Sequence, residues 1–124
     1  KDSASGRMPE SLFQTRACMS VPEITPGEFV ARGERGDDVT LLDVREDWEL
    51  AIATVPGIVH IPMGEVPARL SELDINKEVV VLCRSGRRSL GVAQFLQQHG
   101  YRSTNLAGGI LAWGRDLDPS LPAY

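Results

Sequence analysis

Residues 78–83 read Glu-Val-Val-Val-Leu-Cys. An unbroken apolar run rich in β-branched residues does not suit a strand with one wet face. It needs cover on both faces, which parallel sheets obtain from helices packed above and below them. VTLLDV (39–44) has the same character and predicts a second central strand. Shorter extended pieces are expected at VPEI, within VPGIVHIP and at RSTNLA. Helical patterns alternate with these strands. Thr25-Pro26 with Glu28 gives a capping box and a helix to about Gly33. REDWELA, GEVPARLSEL, SLGVAQFLQQHG and GGILAWGRDL supply the others. Strand–helix alternation at short intervals predicts an α/β fold with a mostly parallel five-stranded sheet and helices on both faces.

The chain of 124 residues suits one domain. Residues 1–20 lack periodicity and read as a tail, linker or residue of expression, so the domain is expected over 21–124. No apolar run approaches the roughly 20 residues needed to span a bilayer. No signal peptide is recognisable, and a membrane partner is not expected. The net charge of −4 argues against nucleic acid. Two cysteines, Cys18 in the tail and Cys83 at a strand end, do not make a disulfide framework, and a reducing cytoplasm is the expected setting.

After the EVVVLC strand the chain reads Cys83-Arg84-Ser85-Gly86-Arg87-Arg88-Ser89 and then enters a helix. In open α/β sheets, ligands bind beyond the carboxyl ends of the strands. A helix start offers N–H groups without helical partners, together with the positive end of the dipole. Gly86 lets the backbone curl around the thiol. Three arginines on an acidic chain point to a small anion rather than a long polyanion. Helix N-termini and nearby cations lower a thiol's pKa, so Cys83 is expected to be a reactive thiolate. A lone cysteine at a strand end is more often an inert packing residue. Packing alone does not call for three clustered arginines and a glycine.

The spacing is Cys-x4-Arg. Cysteine phosphatases carry Cys-x5-Arg, which would put arginine where Ser89 stands. The shorter loop suits one added sulfur atom better than a phosphoryl group. A phosphatase or arsenate-reductase-like enzyme remains the enzymatic alternative, and a non-catalytic interaction module the other. Asp43 and Arg45 end the VTLLDV strand and, two apart, can share one side of it. They could brace the loop, although a purely structural ion pair is the simpler reading. His60 and His99 are expected at a strand end and a helix end. With no paired Cys or His motif, no metal site is expected. Trp48, Trp113 and Phe95 are expected in the core or at its edge. GGILAW lacks Gly-x-Gly-x-x-Gly, so no dinucleotide site is expected.

Three segments together resemble the rhodanese-type sulfurtransferase domain: LLDVREDWELAIATVPGIVHIP, CRSGRRS and NLAGGILAW. The resemblance spans residues 21–124. It implies a Cys83 persulfide, formed from a donor such as thiosulfate and passed to a nucleophile, with no other cofactor. The N–H groups of Arg84, Ser85, Gly86, Arg87, Arg88 and Ser89 would hold the persulfide, and the three arginines would draw in the anionic donor. Many members have histidine where Thr54 stands, a position the persulfide chemistry does not need. TVPGIVHIPMGEVPARL and WGRDLDPSLPAY resemble a branch in which the domain is fused behind an adenylyltransferase. That resemblance implies a ubiquitin-like sulfur-carrier protein, or the adenylyltransferase itself, as partner, in molybdopterin, thiamine or related pathways.

Overall fold

The computed structural model describes residues 20–124. The expected tail lies outside the described residues apart from Ser20, and so does Cys18. The elements run β1 (Glu23–Ile24), α1 (Pro26–Glu34), β2 (Val39–Asp43), α2 (Asp47–Ile52) and β3 (Ile58–His60). Two short 3-10 turns follow, Met63–Glu65 and Leu70–Glu72. The chain continues through β4 (Glu78–Leu82), α3 (Arg87–Gln98), β5 (Ser103–Leu106) and α4 (Gly109–Asp116). The sheet order is β1-β5-β4-β2-β3, and every pairing is parallel.

The two apolar runs take the central places. In β4 the side chains alternate between two cores. Val79 and Val81 join Leu42, Val92, Ala93 and Leu96 on the α3 side. Val80 and Leu82 join Leu41, Leu106, Ile110 and Trp113 on the α4 side, where Phe29 and Val30 of α1 also pack. The four apolar side chains of β4 are inaccessible to solvent. Each is worth about 1.5–3 kcal/mol relative to exposure. This two-sided burial explains why β4 shows no polar alternation.

The capping box forms as expected. The Thr25 N–H donates to Glu28 Oε1 at 2.7 Å, and the Glu28 N–H donates to Thr25 Oγ1 at 3.1 Å. Two expectations fail. GEVPARLSEL forms no helix. Pro67 lacks the N–H that an α-helix needs in mid-segment. The flanking residues close i→i−3 bonds instead, Val66 to Met63 and Leu73 to Leu70. Trp48 is not in the core but 61% exposed. On the short α2 its neighbour Glu49 takes the inward position.

The start of α4 locks the centre of the sheet edge. Its Ile110 and Leu111 N–H groups donate to the carbonyls of Cys83 and Arg84 at 2.8 and 3.1 Å. Gly109, with φ +61°, lies so close that an added Cβ would fall on those same carbonyl oxygens. Backbone cannot yield as a flexible side chain can. Gly109→Ala is therefore expected to cost about 2 kcal/mol or more in urea unfolding. Gly33→Ala, in open space on α1, is expected to stabilise by about 0.5 kcal/mol.

Candidate active site

The chain leaves β2 toward β3 on one side of the sheet and leaves β4 toward β5 on the other. The carboxyl ends of β2 and β4 thus flank the point where the winding reverses, the usual place for a ligand in such sheets. Cys83 stands at the end of β4 and is 1% exposed. Gly86 caps α3 in the left-handed region with φ +98°. Its N–H turns back to donate to the Cys83 Sγ at 3.1 Å.

Burial pushes the Cys83 thiol up. The Ser89 hydroxyl and the N–H groups of Ser89, Gly86 and Ser85 act the other way and win, so the thiol titrates below its ordinary value. Of the N–H groups from Arg84 to Ser89 expected to line the loop, that of Gly86 is hydrogen-bonded to the sulfur.

The three arginines of the loop are brought to one edge but are not equivalent. Arg84 is turned toward the C-terminal residue. Its Nε donates to the Tyr124 carbonyl at 2.7 Å, its second guanidinium nitrogen meets the same oxygen, and its cation lies 5.3 Å from the Tyr124 ring centroid. Arg88 forms a bidentate pair with Glu49 at 2.7 and 2.8 Å. The Glu49 hydrogen bonds raise the Arg88 pKa against the opposing effect of burial, and the charges of Glu49 and of the Cys83 thiolate add to the rise. Of the three arginines, Arg88 is the one whose pKa the Cys83 thiolate helps to raise. Arg87 is exposed at the start of α3 and has no ion pair among the described residues.

Asp43 and Arg45 are both fully buried and paired at 2.6 Å. The Arg45 N–H also donates to Asp43 Oδ1 at 3.0 Å. Neither side chain hydrogen-bonds the 83–89 loop directly. The link runs from Arg45 to the Tyr124 hydroxyl at 3.0 Å, from that hydroxyl to Glu49 at 2.9 Å, and from Glu49 to Arg88. The pair stands as a buried structural network, and its connection to the loop is indirect. His60 ends β3 and its Nε2 bonds the Arg45 carbonyl at 2.7 Å.

Three residues of the site are missing from the sequence reading. Glu49 is 2% exposed, and the Arg88 hydrogen bond, outweighing burial, lowers its pKa to about 2. Tyr124 joins Arg84, Arg45 and Glu49. Asn105 of β5 is 1% exposed and reaches Gly86 and Ser89 from behind the loop. A polar side chain inside the buried strand RSTNLA was the available signal for Asn105. Glu49 looked like an ordinary first-turn acid.

Residues 25–116 match the family model described as the rhodanese-like domain. A sulfurtransferase of Allochromatium vinosum is 44% identical over 96 residues, covering 77% of this chain and 90% of its own length. The adenylyltransferase and sulfurtransferase MOCS3-1 of Zea mays is 36% identical over 109 residues, covering 82% of this chain but only 23% of its own. A solved rhodanese-like domain protein from Staphylococcus aureus superposes with a TM-score of 0.73 at 31% identity, covering 84% of this chain and 99% of that one. With the parallel sheet, the cysteine at the end of its central strand and these likenesses agreeing, the chain belongs to the rhodanese-like domain family.

Proposed function

We propose that the protein is a sulfurtransferase that carries sulfane sulfur as a persulfide on Cys83. The observation that supports this most is the Gly86 N–H aimed at the Cys83 Sγ at the N-terminus of α3, with neighbouring N–H groups lowering the thiol pKa. In the first step the Cys83 thiolate attacks the outer sulfur of a small anionic donor such as thiosulfate. A new S–S bond forms, the donor's own S–S bond breaks, and sulfite leaves with the electron pair. In the second step a nucleophilic acceptor attacks the outer sulfur of the persulfide, and Cys83 departs as thiolate. No cofactor beyond this covalent sulfur is needed. The loop N–H groups stabilise negative sulfur in both states.

The relatives suggest an acceptor. The maize protein joins adenylyltransferase and sulfurtransferase names in one chain, of which this chain spans about a quarter. On that basis the acceptor is a ubiquitin-like sulfur-carrier protein, with an adenylyltransferase as fused or associated partner in molybdopterin or related biosynthesis. A reducing cytoplasm suits a working thiol. No helix among the described residues is long and apolar enough to cross a membrane.

Incubation with thiosulfate followed by intact-mass measurement tests the reading. The protein is expected to gain one sulfur, and Cys83→Ser is expected to gain none. Hydrolysis of an aryl phosphate without sulfur uptake would favour a phosphatase, and neither activity a non-catalytic module.

The cation beside the sulfur gives a second test. Arg88→Met removes a positive charge that favours thiolate and leaves Glu49 unpaired. The midpoint for iodoacetamide alkylation of Cys83 is expected to rise, with the rate at neutral pH falling severalfold. An unchanged midpoint would count against a role for Arg88.

A further inference from the structure

Asn105 occupies a place behind the sulfur loop that the persulfide chemistry above does not use. Its Nδ2 donates to Glu23 Oε2 at 2.8 Å and to the Gly86 carbonyl at 3.0 Å. Both partners are acceptors, which fixes the amide: nitrogen toward them, Oδ1 toward Ser89. The Ser89 Oγ donates to that Oδ1 at 2.5 Å. A serine hydroxyl has one proton. The Ser89 hydroxyl is also the side chain that favours the Cys83 thiolate; while Asn105 holds its proton, the sulfur keeps the Gly86 N–H. A charged sulfur is the stronger acceptor, since charge-assisted hydrogen bonds are roughly twice as strong as neutral ones.

We propose that Asn105 is a positioning residue: it tethers Gly86 and parks the Ser89 proton, which turns to Cys83 when the sulfur becomes negatively charged. This rests on Cys83 being the reactive sulfur, whether or not its cargo is sulfane sulfur. The proton only reorients on Ser89, so no bond to it breaks. The competition matches the chemistry of the site. A neutral thiol leaves the hydroxyl on the amide, and a thiolate or persulfide anion draws it inward.

Several charged groups surround the cluster. Arg84 and Arg87 lie on the rim, Arg88 with Glu49 of α2 lies beside the sulfur, the Asp43–Arg45 pair stands at β2, and Glu23 of β1 lies behind Asn105. All are kept in the variants that test the idea.

Alkylation of Cys83 by iodoacetamide, measured against pH, reads the competition directly. Asn105→Ala frees the Ser89 proton for the sulfur, so the midpoint is expected to fall and the rate below it to rise severalfold. Asn105→Asp keeps an acceptor, holds the proton harder and adds negative charge, so the midpoint is expected to rise. Ser89→Ala is expected to raise it as well, and Asn105→Ala in the Ser89→Ala background is expected to lower it no further. A tether without the proton competition would move Asn105→Ala and Asn105→Asp in the same direction, upward, and that result overturns the proposal. So does a fall in midpoint for Asn105→Ala that persists without Ser89.

Should Asn105→Ala fail to fold, Asn105→Val removes the acceptor and keeps a side chain suited to a buried strand, and the midpoint is again expected to fall. An unchanged midpoint there also overturns the proposal. Thiosulfate loading of the same proteins separates the two readings. Alkylation shifts in the expected pattern without sulfur uptake would support the positioning role of Asn105 and count against sulfur transfer.

Discussion

The site depends on the orientation of two peptide groups. The carbonyls of Cys83 and Arg84 are held by the N–H groups of Ile110 and Leu111 at the start of α4. A peptide group whose oxygen is fixed on one side must present its N–H on the other. With the carbonyls drawn toward α4, the loop curls so that the Gly86 N–H returns to the sulfur. One helix start thus supplies donors for the loop's oxygens, and the next supplies donors for the sulfur. Both are unpaired groups that an α-helix must satisfy somewhere. Here the fold uses one set to aim the other.

Around this backbone frame the charges are arranged for placement more than for total attraction. Arg88 would be a mobile surface cation without Glu49. Glu49 holds it with both carboxylate oxygens and is itself bonded by the Glu46 N–H and the Tyr124 hydroxyl. Its carboxylate therefore stays ionised down to about pH 2, with the Arg88 bond the largest reason. Burying ions costs several kcal/mol each and is offset only where every lone pair and proton finds a partner. Arg45 meets that condition through Asp43, Tyr124 and the Glu49 carbonyl. Its buried charge fixes the end of β2 next to the loop, while Arg87, without an ion pair among the described residues, stays at the rim.

What could be read from the sequence was local. The apolar runs 39–44 and 78–83 announced a doubly covered sheet, and all five strands pair in parallel. CRSGRRS announced a thiol at a helix start because that motif is contiguous. The 64–73 segment fails as a helix although its apolar spacing fits one, because Pro67 breaks the bonding within it. Glu49 and Asn105 escaped for a different reason. Their partners lie 39 and 16 residues away along the chain, and only the packing of α2 and β5 against the loop brings them together. Trp48 is expected in the core or at its edge, yet the six-residue α2 gives its inward face to a carboxylate.

The segment NLAGGI takes on a definite meaning in this light. Its glycines suit a tight strand-to-helix corner. Asn105 reaches the first turn of α3, and Gly109 lies against the loop carbonyls with no room for a side chain. Gly86 in turn has little room on its own side, since a Cβ there would sit 3.2 Å from the Gly108 nitrogen, and its φ of +98° itself favours glycine. The two crossovers press together, each needing a glycine where the other passes. The end of β5 is therefore the back wall of the Cys83 loop. A change in that wall should reach the sulfur through Gly86 and the Ser89 hydroxyl before it reaches the arginines at the rim.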